Sequence, residues 1–198
     1  MILSGDPVGL PGLAALTAGL AAFLLALLVA RLRRPAQDPG QGARASRSWL
    51  GVAVQAVGIG IGGFGPIDLG LDPLSMEALI EAAAVAILMF GATAIFAWAT
   101  ATMGRNWSLI ARTRSDHSLV IAGPFAWVRH PIYSAMGMIG LALAIGFGHL
   151  PLLLVGVPVF ALGTWLRIRE EERLLRQMFG ADYDAWETRV KRFIPGLF

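Results

Sequence analysis

Residues 132–166 read IYSAMGMIGLALAIGFGHLPLLLVGVPVFALGTWL and contain no Asp, Glu, Lys or Arg. A transmembrane helix needs roughly 20 mostly apolar residues. This stretch therefore has room for two rather short spans, at about 132–148 and 150–166. Because almost nothing separates the two spans, they predict a tight helical hairpin inside a membrane. Pro158 lies within the second helix of this hairpin.

Three more apolar segments precede the hairpin, at about 10–30, 49–67 and 78–103. The chain is 56% hydrophobic and only 15% charged, whereas soluble domains carry about 25% charged residues. We therefore predict an all-α integral membrane protein with about five transmembrane helices. The expected organisation is one domain over 1–198, with three N-terminal transmembrane helices in 10–103 and a functional core in 104–198.

The basic residues predict how the helices are oriented. All 16 Lys and Arg residues fall in three stretches, 31–47, 105–129 and 167–192. The segments on the other side contain Asp6, Asp68, Asp72 and Glu77. Because cytoplasmic loops are enriched in Lys and Arg, we expect the N-terminus outside and the C-terminus in the cytoplasm. We attribute the basic character to this topology and to contact with anionic membrane lipids, and we expect no nucleic-acid partner.

Several function classes lack support in the sequence. The absence of cysteine excludes disulfides, thiolate metal ligands and cysteine nucleophiles. Gly58, Gly60 and Gly63 match the dinucleotide fingerprint G-x-G-x-x-G, but they lie inside a predicted span and do not connect a strand to a helix. We interpret the small residues of the spans as positions where helices pack closely in lipid. These positions are Gly58, Gly62, Gly137, Gly140 and Ala144.

The three histidines form no recognisable metal or hydrolase motif. His117 and His130 are the candidates for inward-facing ligands, but neither belongs to a His-x-x-His or His-Glu-x-x-His pattern. Asp116, His117 and Ser118 are sequence neighbours, and the hydrolase motif G-x-S-x-G is absent. We therefore expect no metal site. His149 falls in the hairpin turn, where we expect a solvated or interfacial side chain.

The stretch 104–133 is the first of two that carry most of the polar side chains typical of functional sites. A short extended piece over 115–123 ends in a turn at Gly123 and Pro124. Pro131 suits the first turn of a helix and pushes His130 out of helical geometry. We therefore expect backbone groups near His130 that are unpaired and free to bind a ligand.

The stretch 167–195 is the second region rich in polar side chains typical of functional sites. It predicts a helix that continues from the last span and ends at Gly180, a residue typical of helix C-caps. Arg167 and Glu171 are four residues apart and share a face of this helix, which by pattern alone favours an ion pair on a solvated surface. An amphipathic helix over about 182–192 suits either the membrane surface or a lid over a site. Its apolar face consists of Tyr183, Trp186 and Val190.

Both polar stretches resemble the isoprenylcysteine carboxyl methyltransferases and their prokaryotic relatives, which are grouped with phospholipid methyltransferases. The resemblance covers about 104–195 and rests on several separate motifs in the same order. These motifs are HSLV at 117–120, GPF at 123–125, RHPIY at 129–133, RIREEE at 167–172 and FGADY at 179–183, followed by Val190 and Pro195. The N-terminal spans match only in being hydrophobic.

The resemblance implies that 104–198 is a methyltransferase core that binds S-adenosyl-L-methionine at the cytoplasmic membrane surface without a Rossmann domain. It implies that Glu171 binds the cationic part of the cofactor, and that Arg167 faces the methyl acceptor, with Asn106 as a further candidate there. The family usually has a hydroxylated aromatic residue at the position that Phe125 occupies in this sequence. Phe125 can still stack on a ligand, but it lacks the hydroxyl for a hydrogen bond. The remaining implied cofactor contacts are His117, Ser118, Leu119, Val120, Phe125, Arg129, His130, Pro131, Ile132 and Tyr133.

These roles agree with the charges of the cofactor. A carboxylate such as that of Glu171 suits an ammonium and a sulfonium, while backbone N–H groups and Arg129 suit the cofactor's own carboxylate. The expected partner is a lipophilic acceptor that enters laterally between the spans. A carboxylate acceptor is already ionised at neutral pH, so the lack of an obvious buried base favours carboxyl O-methylation.

Three alternatives remain open at this point. The same scaffold fits a phospholipid or small-amine N-methyltransferase, for which His117, Glu171 or Glu172 would assist deprotonation. The C-terminal region is also somewhat similar to membrane reductases of the steroid-reductase type, which use a nicotinamide cofactor. A non-enzymatic membrane protein that keeps the fold is the third alternative.

The abundance of Ala, Gly and Arg with little Lys favours a bacterial inner-membrane location.

Overall fold

Helices dominate the computed structural model, which describes residues 5–33, 48–107 and 118–196. The described residues contain no β-strand beyond an isolated parallel bridge between Val128 and Lys191. Short 3-10 turns precede α4 and α5. The α-helices are α1 (Leu10–Leu32), α2 (Ser48–Ile61), α3 (Met76–Met103), α4 (Pro131–Gly146), α5 (Leu153–Phe179) and α6 (Ala181–Arg189).

Five of these helices are apolar and lie where the sequence predicts spans. Three segments are long and apolar enough to cross a membrane, namely α1, α3 and Leu150–Phe179, which includes α5. The two others are shorter, with 14 residues in α2 and 16 in α4. The predicted second span is too long because Gly62, Gly63 and Pro66 end α2 at Ile61, well before position 67. The architecture is that of an all-α membrane protein with three long apolar helices.

The helices pack as two layers that share α4. The apolar core between α1, α3 and α4 is centred on Leu16, Met89, Phe96 and Ile139. The connection between α4 and α5 is short, as predicted, but α5 packs mainly against α2 and touches α4 in few places. The hairpin is therefore tight only at its turn. Many large apolar side chains point outward, as expected for a membrane-facing surface.

Glycines explain why α2 is the partner of α5. Gly58 of α2 lies against the backbone of Phe160 in α5, and Gly163 of α5 lies against the backbone of Gln55 in α2. An added Cβ at Gly163 would be 2.5 Å from the backbone nitrogen of Gln55. The packing role predicted for Gly58 is thus confirmed, since these backbones meet only where a side chain is missing.

At the end of the bundle where α1 begins, three loops are joined by hydrogen bonds. The backbone N–H of Asp6 donates to the carbonyl of Gly148 at 2.8 Å, and that of Val8 donates to Asp68 at 2.8 Å. The ring Nε2 of His149 lies 3.1 Å from the carbonyl oxygen of Pro66. His149 is only 1% exposed, so the expectation of a solvated or interfacial side chain is wrong. Its ring is enclosed because the loops close over the hairpin turn.

The glycine contact between α2 and α5 yields a stability prediction. Gly163→Ala would place a methyl group against the α2 backbone, and overpacking of this kind costs about 1–3 kcal/mol. We expect a clear drop in the melting temperature of the detergent-solubilised protein. Gly60→Ala is the matched control, because an added Cβ there has nothing within 4 Å. Equal melting temperatures for the two variants would contradict the close α2–α5 contact.

Candidate functional site

The segment before α4 is held by the C-terminal segment of the chain. Pro131 is the first residue of α4, as predicted, and His130 precedes it in a non-helical conformation. The backbone N–H of Arg129 donates to the carbonyl of Lys191 at 2.7 Å, and that of His130 donates to Arg192 at 3.0 Å. The expectation of free backbone donors near His130 is therefore wrong for these two N–H groups. The residues after α6 accept both hydrogen bonds, and Val128 and Lys191 form an isolated parallel β-bridge.

Glu172 is the centre of a buried ionic cluster. Its side chain accepts hydrogen bonds from Arg129 at 3.0 Å and from two nitrogens of Arg192 at 2.7 and 2.9 Å, and it lies 3.2 Å from Nε2 of His130. Glu172 is only 5% exposed, and a buried carboxylate is tolerated when it is paired in this way. The hydrogen bonds to Glu172 raise the pKa of Arg192. Glu172 thereby joins α5, the start of α4 and the C-terminal segment.

Arg129 points into this cluster. Its Nη1 also donates to the hydroxyl of Tyr183 at 3.2 Å and lies 3.2 Å from Oε1 of Glu187. Burial raises the pKa of Tyr183 to about 12. These contacts give Arg129 a structural role. Its predicted contact with a cofactor carboxylate stays a prediction.

On the adjacent face of α5, four of the residues singled out from the sequence come together. The hydroxyl of Tyr133 donates to Oε2 of Glu171 at 2.9 Å, and Nδ1 of His130 lies 4.0 Å from the same oxygen. The guanidinium carbon of Arg167 lies 5.0 Å from the centre of the Tyr133 ring, within the range of a cation–π contact. Tyr133 therefore separates Arg167 from Glu171, and the predicted surface ion pair gives way to a half-buried cluster.

Arg167 is buried, with 8% of its surface exposed. Its Nη1 donates to Oε1 of Gln55 in α2 at 2.9 Å, and Nε2 of Gln55 donates to the hydroxyl of Thr164 at 2.7 Å. Gln55 is a site residue that was not predicted from the sequence. The signal was present, because a polar side chain within an apolar span usually has a partner and a function.

Four other predicted cofactor contacts, namely Leu119, Val120, Phe125 and Ile132, belong to an apolar group. Phe125 is buried in a core cluster with Tyr183 and Trp186, and its carbonyl accepts a hydrogen bond from the Trp186 indole at 3.3 Å. The apolar face of α6 therefore packs on the protein, as a lid would, and not on the headgroups of a membrane. Leu119, Val120 and Ile132 pack against the same cluster.

Asn106 and Ser118 meet near the C-terminal end of α3. The amide of Asn106 donates to the hydroxyl of Ser118 at 3.1 Å and to its carbonyl at 3.3 Å. His117, the remaining predicted cofactor contact, lies outside the described residues. The structure thus links the predicted acceptor residue Asn106 to a predicted cofactor residue.

A cleft of about 430 Å³ lies on a different face of α5. Successive residues of an α-helix are rotated by 100°, which directs Trp165, Arg169 and Glu172 away from Arg167 and Glu171. Trp165, Arg169 and Glu172 line the cleft. The cleft is therefore separate from the Tyr133 cluster.

The cluster at Glu172 predicts a large loss of stability on neutralisation. Glu172→Gln would leave Arg129 and Arg192 without their shared carboxylate, and loss of one partner of a buried ion pair costs about 3 kcal/mol. We expect a lower melting temperature in detergent and faster proteolysis within 189–196. Arg173→Gln is the control, because the Arg173 side chain that pairs with Glu170 is 53% exposed and an ion pair at such a site contributes below about 1 kcal/mol. Similar behaviour of both variants would argue against the cluster.

Comparison with known proteins identifies the same region. The model of the isoprenylcysteine carboxyl methyltransferase (ICMT) family matches residues 84–177, a range that includes His130, Tyr133, Arg167, Glu171 and Glu172. The Saccharomyces cerevisiae protein-S-isoprenylcysteine O-methyltransferase is 35% identical over 98 residues, which is 48% of this chain and 40% of the yeast protein.

Two bacterial relatives are named as metal-resistance proteins. The nickel-cobalt-cadmium resistance protein NccN of Alcaligenes xylosoxydans xylosoxydans is 32% identical over 124 residues, or 61% of this chain and 54% of NccN. The cobalt-zinc-cadmium resistance protein CzcN of Cupriavidus metallidurans is 33% identical over 100 residues, or 49% of this chain and 45% of CzcN. The matches thus span about half the length of these relatives or less. The resemblance seen in the motifs is confirmed, since residues 84–177 of this chain match the model of the isoprenylcysteine carboxyl methyltransferase family.

Proposed function

We propose that this protein transfers a methyl group from S-adenosyl-L-methionine to the carboxylate of a lipophilic acceptor similar to an isoprenylcysteine. The observation that carries the proposal is the arrangement of Glu171 and Arg167 on either side of Tyr133. A carboxylate and a guanidinium are the groups that a cationic cofactor and an anionic acceptor require. Both lie in the region that matches the methyltransferase family.

The proposal includes a membrane topology. We infer that α1 to α5 all cross a bacterial inner membrane, with the N-terminus outside and the site in the cytoplasm. In the described structure, Arg129, Arg167 and Arg192 lie at the end of the bundle where α3 ends and α4 begins. Asp6 and Asp68 lie at the opposite end. This distribution follows the positive-inside rule.

Glu171 is the proposed partner of the cationic part of the cofactor. Its carboxylate is oriented by the hydroxyl of Tyr133 at 2.9 Å, and about a third of its side chain is exposed, at 32%. Glu171 therefore fits a cationic ligand, because its carboxylate is accessible and is held in place by a neutral neighbour. When bound, the cofactor supplies an electrophilic methyl group on a sulfonium. His117, Ser118, Leu119, Val120, Phe125, Arg129, His130, Pro131 and Ile132 would complete the cofactor site.

Arg167 is the proposed partner of the acceptor, together with Asn106. A guanidinium binds a carboxylate through two parallel hydrogen bonds and so fixes the direction of its oxygens. Orientation is the main requirement here, because an in-line displacement depends on alignment and on the exclusion of water. Arg167 lies at the end of the apolar half of α5 and contacts α2, which would allow a lipophilic acceptor to approach from the bilayer.

Transfer to an amine of a phospholipid or a small molecule is the alternative on the same scaffold. It requires loss of a proton, whereas a carboxylate acceptor does not. The two products differ in stability, since a methyl ester is cleaved by base and an N-methyl group is retained. We expect that membranes incubated with tritiated S-adenosylmethionine yield a labelled lipophilic product that loses its label in base. A base-stable label would instead favour the N-methyltransferase.

The role of Glu171 predicts weaker cofactor binding on its removal. Glu171→Ala should raise the Kd for S-adenosylmethionine about 10- to 100-fold, since a bond to a charged group contributes about 1.5–3 kcal/mol. Isothermal titration calorimetry on the purified protein measures this. Glu170→Ala removes a neighbouring carboxylate that pairs with Arg173 and should bind the cofactor normally. Normal binding by Glu171→Ala would refute the assignment.

The role of Arg167 predicts a different pattern. Arg167→Ala should lower methyl transfer by about 100-fold or more, the effect of removing a charged group that acts on the reacting atoms, while the cofactor Kd changes little. Arg169→Ala is the matched control, because Arg169 stacks on Trp165 at 5.4 Å outside the cluster. The measurement is tritium transfer at saturating cofactor. Equal losses in cofactor binding and in transfer would show that Arg167 acts on the cofactor and not on the acceptor.

A further inference from the structure

Gln55 is a fully buried polar residue in the middle of the apolar helix α2. Its exposed fraction is 0%, and it precedes the region that matches the methyltransferase family, residues 84–177. A buried amide must be hydrogen-bonded, or its burial is strongly unfavourable. A polar group at such a position in a span therefore has a purpose that packing alone does not explain.

Both ends of the Gln55 amide are used. The Nε2 donates to the hydroxyl of Thr164 at 2.7 Å, and the Oε1 accepts from Nη1 of Arg167 at 2.9 Å. Because a guanidinium can only donate, the amide oxygen must face Arg167, and the Nε2 is left to donate to the Thr164 hydroxyl. The carbonyl oxygen of Gln55 thus has one direction available, and Arg167 is held along it.

The backbone geometry around this pair allows the approach. Gly163 lies against the backbone of Gln55, and Gly51 lies against the side chain of Arg167, where an added Cβ would be 2.5 Å from Cγ. The Tyr133 ring contacts the guanidinium 5.0 Å from its centre. Arg167 is therefore confined by α2, α4 and its own helix.

We propose that Gln55 is a positioning residue that holds the Arg167 guanidinium in the orientation needed to bind the anionic group of the acceptor. The acceptor site therefore includes α2. Gln55 can orient Arg167 without adding a negative charge of its own, whereas a glutamate at this position would compete with an anionic acceptor. The inference rests on the proposed function of Arg167, and it adds a determinant of acceptor specificity.

The test compares Gln55→Leu and Gln55→Glu with the wild-type full-length chain in detergent. Leucine has a similar size and cannot accept from Arg167; glutamate keeps an acceptor oxygen and adds a charge. We expect both variants to raise the KM for an N-acetylated S-isoprenylcysteine at least tenfold, with the Kd for S-adenosylmethionine unchanged within about twofold. Gln177→Leu is the control, because it makes the same change at an exposed position of α5, and it should behave as wild type.

Acceptor binding is measured separately, as the rise in melting temperature on addition of the isoprenylcysteine. An unchanged acceptor KM in Gln55→Glu, with an active wild type, would overturn the inference and leave the proposed function intact. A wild type that binds the acceptor but transfers no methyl group would overturn the proposed function, and the acceptor affinities of the variants would still test Gln55. A wild type that binds neither ligand would overturn both. If Gln55→Leu does not fold, Gln55→Glu alone decides.

Discussion

Every charged side chain on the inward side of α5 has to be paired where the helix leaves its apolar half. The transition is abrupt, since Leu166 is followed by Arg167 and three consecutive glutamates begin at position 170. A buried charge without a partner is far more costly than one that is hydrogen-bonded. The partners come from α2 for Arg167, from α4 for Glu171, and from two separate segments for Glu172, namely the residues before α4 and the C-terminal segment. The mutual arrangement of these elements follows from this requirement.

The two adjacent carboxylates of Glu171 and Glu172 have different partners and therefore different roles. Glu172 is enclosed by cations and joins the C-terminal segment to the start of α4, whereas Glu171 has a neutral partner and remains accessible. His130 lies between them, with one ring nitrogen 3.2 Å from Glu172 and the other 4.0 Å from Glu171. A stable ionic cluster thus supports a neighbouring carboxylate that retains capacity for a ligand. This division is the arrangement expected when a site is held by surrounding structure.

Much of the fold could be predicted from local patterns. The apolar segments, the helix start at Pro131 and the helix end at Gly180 depend on hydropathy and on backbone preferences, which act over a few residues. The length of α2 was overestimated because its glycines read as part of an apolar run. The choice of α2 as the partner of α5 could not be predicted, since glycine spacing shows that a helix packs closely but not which helix it meets.

The site could be predicted in part: the motifs indicate which residues belong to it, but not all of their pairings. The motifs brought His130, Tyr133, Arg167 and Glu171 into one group, and these residues do lie together. The relative roles of Glu171 and Glu172 depend on 100° of helix rotation, which no local pattern resolves. The pairing of Arg129 with Glu172, and of the His130 backbone with the segment 191–192, could not be predicted because these partners are distant in sequence. The polar side chain of Gln55 within an apolar span was a visible signal, but its partners at 164 and 167 are distant in sequence as well.

The contact of α2 with α5 has a consequence for how the chain can be divided. Residues 84–177 carry the family resemblance, but the side chain that orients their buried arginine comes from position 55. A chimera that joined residues 84–198 to the first helices of another membrane protein would keep every motif and lose that support. The boundary of sequence similarity is therefore not the boundary of the working unit, and exchange of parts between relatives would have to include the glycine-lined face of α2.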